Sequence, residues 1–217
     1  MRNDGPLVYL VDDDEAVRDA LGMLFKSVGL TFEAYASAVD FLERFDPARH
    51  ACLVADIRMP TMSGLELQQR LNEQHVGTPI IFITGHGDVP MAVNAMRAGA
   101  ADFIQKPFRD QDLIDRINSA LAQDRERRAS RAEEDAIRAR IAALTPRENE
   151  VMRRVVRGHA NKVIALDLGV SQRTVELHRA RVMRKLKMRS VAELVHAVGK
   201  VSTGTQSSAG DMTVAQR

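Results

Sequence analysis

Short apolar runs alternate with amphipathic stretches along the first half of the chain, and this alternation limits the possible folds more than any other feature. The apolar runs occupy positions 7–11, 32–36, 52–55, 80–84 and 102–105. Helical periodicity lies between and after them, at about 15–28, 37–45, 64–75, 89–98 and 110–121. Several runs are apolar at successive positions, as in parallel strands that are covered on both faces. The pattern predicts a doubly wound α/β domain with a five-stranded parallel sheet.

Glycine follows three of these predicted helices, at Gly29, Gly77 and Gly99. A helix commonly ends with one residue in the left-handed conformation, which glycine adopts without steric cost. We therefore expect all three glycines to be left-handed C-terminal caps.

Charge is distributed unevenly along the chain, although the net charge is only +2. Residues 1–118 carry 11 Lys and Arg against 18 Asp and Glu, whereas residues 144–217 carry 14 against 6. The segment between them is rich in Ala, Arg and Glu and carries 6 against 5. An acidic first half and a basic last third indicate two domains with different partners, and nucleic acid is the usual partner of the basic one.

Membrane and secreted disulfide proteins are disfavoured. No apolar run approaches the roughly 20 residues of a membrane span, and the acidic N-terminus does not resemble a signal peptide. The single cysteine, Cys52, excludes an intrachain disulfide and is expected to be a small buried hydrophobic residue. We expect a cytoplasmic protein.

Helix-start signals divide the basic part into four short helices. Thr145-Pro146-Arg147-Glu148 and Ser190 with Glu193 are capping boxes. Gly158 and Gly169 are expected to end the first two helices, and Ser171 to cap a third that runs to about residue 187. The second and third helices, at 161–168 and 171–187, form a predicted helix-turn-helix. The Ser-, Thr- and Gly-rich tail from Val201 is expected to be disordered.

Polar side chains follow four of the five predicted strands, at the edge where open α/β sheets bind ligands. They are Asp12 and Asp13, Asp56, Thr84, and Lys106. Clustered carboxylates are stabilised by a cation, and oxygen ligands suit Mg²⁺. A lysine and a hydroxyl suit phosphoryl oxygens. Each residue alone has a simpler explanation, such as Asp56 capping a turn, but their conjunction favours a phosphoryl site.

Four motifs in residues 6–122 resemble the receiver domain of two-component response regulators. They are LVYLVDDDEAVRDAL, ACLVADIRMPTMSGLEL, IIFITGHGDVPMAV and MRAGAADFIQKPF. The resemblance implies that Asp56 accepts a phosphoryl group from a histidine kinase. It also implies that Asp13, Asp56 and the backbone carbonyl of Arg58 bind Mg²⁺, with Asp12 supporting the ion.

The resemblance assigns further roles at the same edge. Lys106 would pair with the phosphoryl group, Thr84 and Phe103 would be switch residues, and the Lys106–Pro107 peptide would be cis. Asp88 is expected to cap the following helix, and we assign no catalytic role to His86.

The segment LTPRENEVMRRVVRGHANKVIALDLGVSQRTVELHRARVMRKL resembles the LuxR/NarL-type DNA-binding domain. With the receiver motifs, it makes the chain similar to regulators of the NarL/FixJ family, on the FixJ-like branch. The implied phosphate contacts are Lys162, Arg173, Thr174, His178, Arg181 and Lys185. Base-facing positions are held by Glu176, Leu177 and Ala180, and Arg179 is a further DNA-binding candidate on the same helix.

Together these features predict a phosphorylation-dependent transcription factor with a receiver at 1–122, a helical linker at 123–143, a DNA-binding domain at 144–200 and a disordered tail at 201–217. A cognate histidine kinase, two-fold double-stranded DNA, a second copy of the chain and RNA polymerase are the expected partners. By the resemblance, the dimer contacts would be the face around 88–108 and the fourth helix of the basic domain, whose apolar stripe could instead pack into its own core. Two alternatives remain open: a phosphorylation-independent DNA-binding protein, and a Mg²⁺-dependent phosphohydrolase, for which no insertion supplies a substrate-recognition cap.

Overall fold

The structure is a computed structural model that describes residues 5–85 and 89–206. The chain divides into two compact units, Met1–Arg128 and Ala129–Arg217. Among the described residues, none of the helices combines the length and the apolar composition that a membrane-spanning segment needs.

In its described residues, the first unit contains a five-stranded parallel sheet flanked by helices, as the alternating pattern predicts. The strands are β1 (Leu7–Val11), β2 (Thr31–Tyr35), β3 (Ala51–Asp56), β4 (Ile80–Thr84) and β5 (Asp102–Gln105). The helices are α1 (Glu15–Ser27), α2 (Ala38–Arg44), α3 (Gly64–Glu73), α4 (Val89–Arg97) and α5 (Asp110–Ala142). The strand order is β2-β1-β3-β4-β5, so the order reverses between β1 and β3. Such a reversal opens a crevice at the carboxyl ends of the strands.

Both faces of the sheet are covered, which explains the continuously apolar strands. Along β3, Leu53 and Ala55 belong to the cluster on one face, whereas Cys52 and Val54 belong to the cluster on the other. Cys52 is fully buried, as predicted, and burial raises the pKa of its thiol. The covered strands give the sheet a rigid core from which the polar strand ends project.

The predicted glycine caps are confirmed at two of three positions. Gly29 and Gly99 have φ values of +75° and +93°, but Gly77 does not lie in the left-handed region. After α3 it is His75 that adopts a positive φ, of 55°. The prediction for Gly77 is wrong because this glycine is needed for space: a Cβ atom there would overlap the guanidinium group of Arg127.

The described part of the second unit contains the end of α5 and the four helices predicted for the basic segment. These are α6 (Pro146–Val156), α7 (Asn161–Leu168), α8 (Gln172–Leu186) and α9 (Val191–Gln206). Their core includes Val151, Ile164, Val175 and Leu194, all at most 1% exposed. The capping box at Thr145 and Glu148 is present, and Gly169 is left-handed with φ +66°.

The predicted disorder from Val201 is wrong for residues 201–206, which continue α9. The buried stripe of Leu194 and Ala197 extends through half-buried Val198 and Val201, and no proline interrupts it. The apolar face therefore reaches one turn further than the Ser- and Thr-rich composition suggests. Residues 207–217 lie outside the described residues.

Helix α5 is continuous through most of the segment that we predicted as a linker, and the boundary between the two units falls within it, after Arg128. This segment is not simply a solvated charged helix. Asp124 is 1% exposed in the first unit, and Ile137 is 5% exposed in the second.

Candidate functional site

Strand β3 carries Asp56 to the edge of the sheet, where its side chain is only 14% exposed. A carboxylate in such a place requires partners. Its Oδ2 accepts a hydrogen bond of 2.7 Å from the backbone N–H of Arg58, and its Oδ1 accepts one of 3.1 Å from Lys106 Nζ. Asp56 therefore caps the turn after β3 and also forms an ion pair across the sheet edge.

Asp12 is the second carboxylate at this edge and is 2% exposed. Its Oδ2 lies 3.3 Å from Lys106 Nζ, and its Oδ1 accepts a hydrogen bond of 2.9 Å from the N–H of Asp14. Burial raises the pKa of Asp12, and the charge of Asp56 raises it further. The hydrogen bond from Asp14 and the charge of Lys106 lower it, but they do not cancel the rise. Asp14, rather than Asp12 or Asp13, is the N-cap of α1.

Lys106 joins the two carboxylates from the loop that follows β5. Its backbone N–H donates to the carbonyl of Thr84 at 2.8 Å, and the Lys106–Pro107 peptide is cis, as the resemblance implied. Burial alone would lower the pKa of Lys106, but the charges of Asp12 and Asp56 outweigh it and raise the pKa. The lysine therefore remains a cation between two carboxylates.

Gly64, which the sequence reasoning missed, shapes the backbone beside Asp56. Its N–H donates to the carbonyl of Ile57 at 2.9 Å, and a Cβ atom on it would overlap the carbonyl oxygen of Asp56 and approach Phe82 to 2.9 Å. The available signal was the capping box of Ser63 and Glu66, which starts α3 directly after this loop. Only a glycine at the first helical position allows α3 to begin so close to β3.

The remaining predicted residues lie near this edge in different environments. Thr84, at the end of β4, is 2% exposed, and Phe103, on β5, is half-buried. Asp13 and Arg58 are exposed. His86 and Asp88 lie outside the described residues.

The donor chemistry at the edge fits a hard cation. The predicted ligands are the carboxylates of Asp12, Asp13 and Asp56 and a backbone carbonyl. In residues 5–85 and 89–206, no three His, Cys, Asp or Glu side chains form a group that could hold a metal ion. Mg²⁺ keeps several waters and is often bound through only one or two protein carboxylates, so two of these carboxylates with the backbone carbonyl would be enough to hold it.

A second candidate surface lies on α7 and α8, which form the predicted helix-turn-helix. Gly169 ends α7, and Ser171 caps α8 by accepting a 3.1 Å hydrogen bond from the N–H of Thr174. One side of α8 is buried through Val175 and Val182. Exposed candidates include Arg173, Glu176, Leu177, Ala180 and Arg181 on α8 and Lys162 on α7, and Lys185 on α8 is exposed as well.

Several predicted DNA-binding residues, among them the exposed Lys185, contact the protein itself. Arg179 donates to the side-chain oxygen of Asn161 at 2.6 Å, and Lys185 Nζ lies 2.6 Å from Glu148 Oε2. The hydroxyl of Thr174 is 2.8 Å from that of Ser171. His178 is half-buried, and its Nδ1 has no hydrogen-bond partner among the residues that the structure describes. Arg179 and Lys185 therefore fasten α8 to α7 and α6.

Glu148 has two structural roles in this unit. It is 3% exposed, completes the capping box of α6 by accepting from the N–H of Thr145 at 2.8 Å, and pairs with Lys185. The Lys185 hydrogen bond, followed by that from Thr145, lowers the pKa of Glu148 to about 2. The sequence indicates the cap but not the ion pair, because positions 148 and 185 have no local pattern that relates them.

Comparison with known families assigns both units. The family model of the response regulator receiver domain matches residues 8–118, and that of the luxR family of bacterial regulatory proteins matches residues 142–198. The chain belongs to the response regulators. It is a two-component response regulator of the NarL/FixJ type, with a receiver domain and a LuxR-type DNA-binding domain, and it regulates transcription.

Relatives match this response regulator over nearly its whole length. The response regulator protein TodT of Pseudomonas putida is 41% identical over 201 residues, which cover 93% of this chain and 88% of TodT. The transcriptional regulatory protein FixJ of Azorhizobium caulinodans is 46% identical over 188 residues, covering 87% of this chain and 89% of FixJ. Both relatives are named as regulators.

Two solved structures resemble this response regulator. The response regulator StyR is 47% identical with a TM-score of 0.81, and the match covers 90% of this chain and 98% of StyR. Full-length FixJ from B. japonicum is 41% identical with a TM-score of 0.56, covering 91% and 97% respectively. A receiver domain implies a histidine kinase as partner, and a LuxR-type domain implies DNA binding.

We expect Gly64→Ala to lower the free energy of unfolding of the receiver domain by about 1–3 kcal/mol, the usual cost of forcing an extra group into a packed site. Urea unfolding of the full-length protein, followed by NMR signals of receiver residues, measures this loss. Gly199→Ala is the control, because no described atom lies within 4 Å of a Cβ atom at that position. An equal effect of the two substitutions would contradict the packing argument.

Acid should destabilise the DNA-binding domain through Glu148. Because its pKa in the folded state lies below the ordinary value of 4.5, its contribution is complete above about pH 4.5 and declines as the pH falls toward 2. Urea titrations at several pH values, followed by NMR signals of α6 and α8, should show this decline. Glu148→Gln should be less stable at neutral pH and lose this part of the pH dependence. Glu150 is half-buried and pairs with the exposed Arg147 on the same helix, so Glu150→Gln should behave like the wild type.

Proposed function

We propose that Asp56 accepts a phosphoryl group from the phosphohistidine of a cognate histidine kinase, and that Mg²⁺ is the cofactor. The observation that supports this proposal is the Asp56 carboxylate at the switch point of the sheet, held 3.1 Å from a lysine. An Asp56 oxygen would attack phosphorus while the P–N bond of phosphohistidine breaks, and its electron pair would return to the imidazole. The product is an acyl phosphate on Asp56.

The charges around Asp56 suit this transfer. Lys106 would pair with an oxygen of the added phosphoryl group, as its ammonium group now pairs with the carboxylate. Asp12, Asp13, Asp56 and the backbone carbonyl of Arg58 would hold Mg²⁺, which when bound would neutralise charge on the phosphoryl oxygens. Together these groups would stabilise the charge that develops during transfer.

Phosphorylation would then alter the α4–β5 side of the receiver domain. Thr84 would bond to a phosphoryl oxygen and Phe103 would shift with it. The proposed dimer face around residues 88–108 contains Val93 and Met96, which are 42% and 39% exposed on α4. Large apolar side chains at this spacing on one helix are suited to a reversible protein contact.

The DNA-binding domain would bind a two-fold site as a dimer and could act together with RNA polymerase. On α9, Leu194 packs into the domain's own core, whereas Val191 and Val195 are 38% and 41% exposed. The exposed pair supports α9 as a second dimer contact. On α8, the exposed Glu176 would accept from a cytosine amino group in the major groove.

Asp56→Asn tests the phosphorylation switch. Binding of the full-length protein is measured on a duplex selected from a random DNA pool, with and without acetyl phosphate and Mg²⁺. We expect wild-type affinity to rise by about tenfold, within the usual range of allosteric coupling, and the affinity of Asp56→Asn to stay unchanged. Asp19→Asn, an exposed acid on α1, should respond like the wild type.

Two other results would favour a different function. Equal affinity in all conditions would indicate a DNA-binding protein that is independent of phosphorylation. Turnover of added phosphoesters well beyond one phosphate per Asp56 would indicate a phosphohydrolase.

Arg181 and Lys185 should have different roles although both are basic residues of α8. Arg181→Ala should weaken DNA binding and reduce the slope of log affinity against log salt by about one, as expected for one lost phosphate contact. The free energy of unfolding of Arg181→Ala should equal that of the wild type, because Arg181 is exposed. Lys185→Ala should lower the free energy of unfolding, since it leaves the Glu148 carboxylate buried without its cation. Salt-dependent DNA titrations and urea unfolding separate the two effects, and a reversed assignment would contradict the proposed surface.

A further inference from the structure

A cluster of charged side chains lies on α5 beyond the phosphoacceptor domain that the motifs delimit. The Asp124 side chain is fully buried. It pairs with Arg127 one turn later, and its Oδ2 accepts a hydrogen bond of 2.6 Å from Arg128 Nε. A buried carboxylate is stable only when such partners neutralise it. We call Asp124, Arg127 and Arg128 the Asp124 latch.

Arg128 connects the Asp124 latch to a loop of the receiver domain through hydrogen bonds. Its Nη1 donates to the carbonyl of Ala48 at 2.7 Å, and its Nη2 donates to the carbonyls of Pro47, at 3.2 Å, and Arg49. The loop between α2 and β3 is therefore bound through consecutive carbonyl groups. A planar guanidinium group held by a carboxylate can serve several acceptors at once, whereas a lysine ammonium cannot reproduce this geometry.

Two further contacts hold the same part of α5. Nε2 of His50, in the same loop, donates to the carbonyl of Leu121 at 2.9 Å. Arg127 packs against Gly77, in the space that any Cβ atom at position 77 would occupy. Residues 121–128 are thus fastened to the loop before β3 and to the segment before β4. Both segments lie at the end of the sheet opposite Asp56, because they precede parallel strands whose carboxyl ends form the phosphoacceptor edge.

We propose that Asp124 is a positioning residue that fixes residues 122–128 of α5 to the receiver domain, and that this attachment is required for phosphorylation to change DNA affinity. The attachment follows from the contacts alone, whereas the effect on affinity rests on the function proposed above. The first half of α5 up to Arg128 then belongs to the receiver domain, and the segment that links the domains begins only after it.

Amide hydrogen exchange of the full-length protein tests the attachment. We expect Asp124→Asn and Arg128→Ala to accelerate exchange in peptides covering 122–128 by about tenfold or more, because local opening no longer has to break the latch. Arg125→Ala, an exposed neighbour on the same turn, should leave exchange unchanged. Wild-type exchange rates in both latch variants would overturn the proposal. If Asp124→Asn does not fold, Arg128→Ala still provides the test. The Arg128 side chain is 26% exposed, so its removal disturbs the core less than a change at the fully buried Asp124.

The affinity of the same variants for the selected duplex tests the coupling. Two properties of the variants should stay at wild-type levels: phosphorylation of Asp56 by acetyl phosphate, and the DNA affinity of the unphosphorylated protein. The ratio of the DNA affinity of the phosphorylated protein to that of the unphosphorylated protein should fall about fivefold or more. Arg128→Lys should lower this affinity ratio as Arg128→Ala does, because a lysine does not reproduce the geometry of the guanidinium group. Faster exchange with an unchanged ratio would overturn the coupling. If the wild type itself shows no phosphorylation-dependent affinity, the proposed function fails, and the exchange rates still decide whether the latch exists.

Discussion

The ammonium group of Lys106 lies between two carboxylates that the sheet topology places side by side. Asp12 follows β1 and Asp56 ends β3, and these strands are neighbours although they are separated along the chain. Without a cation, two carboxylates held this close at one edge of the sheet would repel each other. Lys106 supplies that cation from the end of the outermost strand, so the ion pairs connect three strands at the edge where a ligand can enter.

The sheet, its order of elements and the polar edge could be predicted from the sequence because their signals are local or repeat along the chain. Continuous apolar runs indicate covered strands, and the residue that follows each run must lie at the same edge. The helix starts after Thr145 and Ser171 were predictable for the same reason, since each residue stands directly before the amides that it caps. The residue types at that edge indicated phosphoryl and metal chemistry, whereas the roles of the individual residues depended on resemblance.

Features that depend on contacts between distant positions were not predictable. Gly77 follows a helix, as a C-terminal cap would, but it provides space for a side chain 50 positions later. The sequence indicated that Lys185 is a phosphate contact, but in the structure α6 places Glu148 beside it and the two form an ion pair. The extent of α9 was underestimated because composition indicated disorder while the apolar spacing continued. At Gly77 and Lys185 a contact between distant positions outweighed the local pattern, whereas at α9 one local signal, the apolar spacing, outweighed another, the composition.

The close contact between Gly77 and Arg127 also has a consequence for how related sequences vary. Any side chain at position 77 would displace the guanidinium group of Arg127 and remove one of the two cations beside the buried Asp124 carboxylate. The two positions should therefore covary: family members that keep arginine at the position of Arg127, with an acid three residues before it, should retain glycine at the position of Gly77. Members with a larger residue there should have lost the arginine, the acid or both.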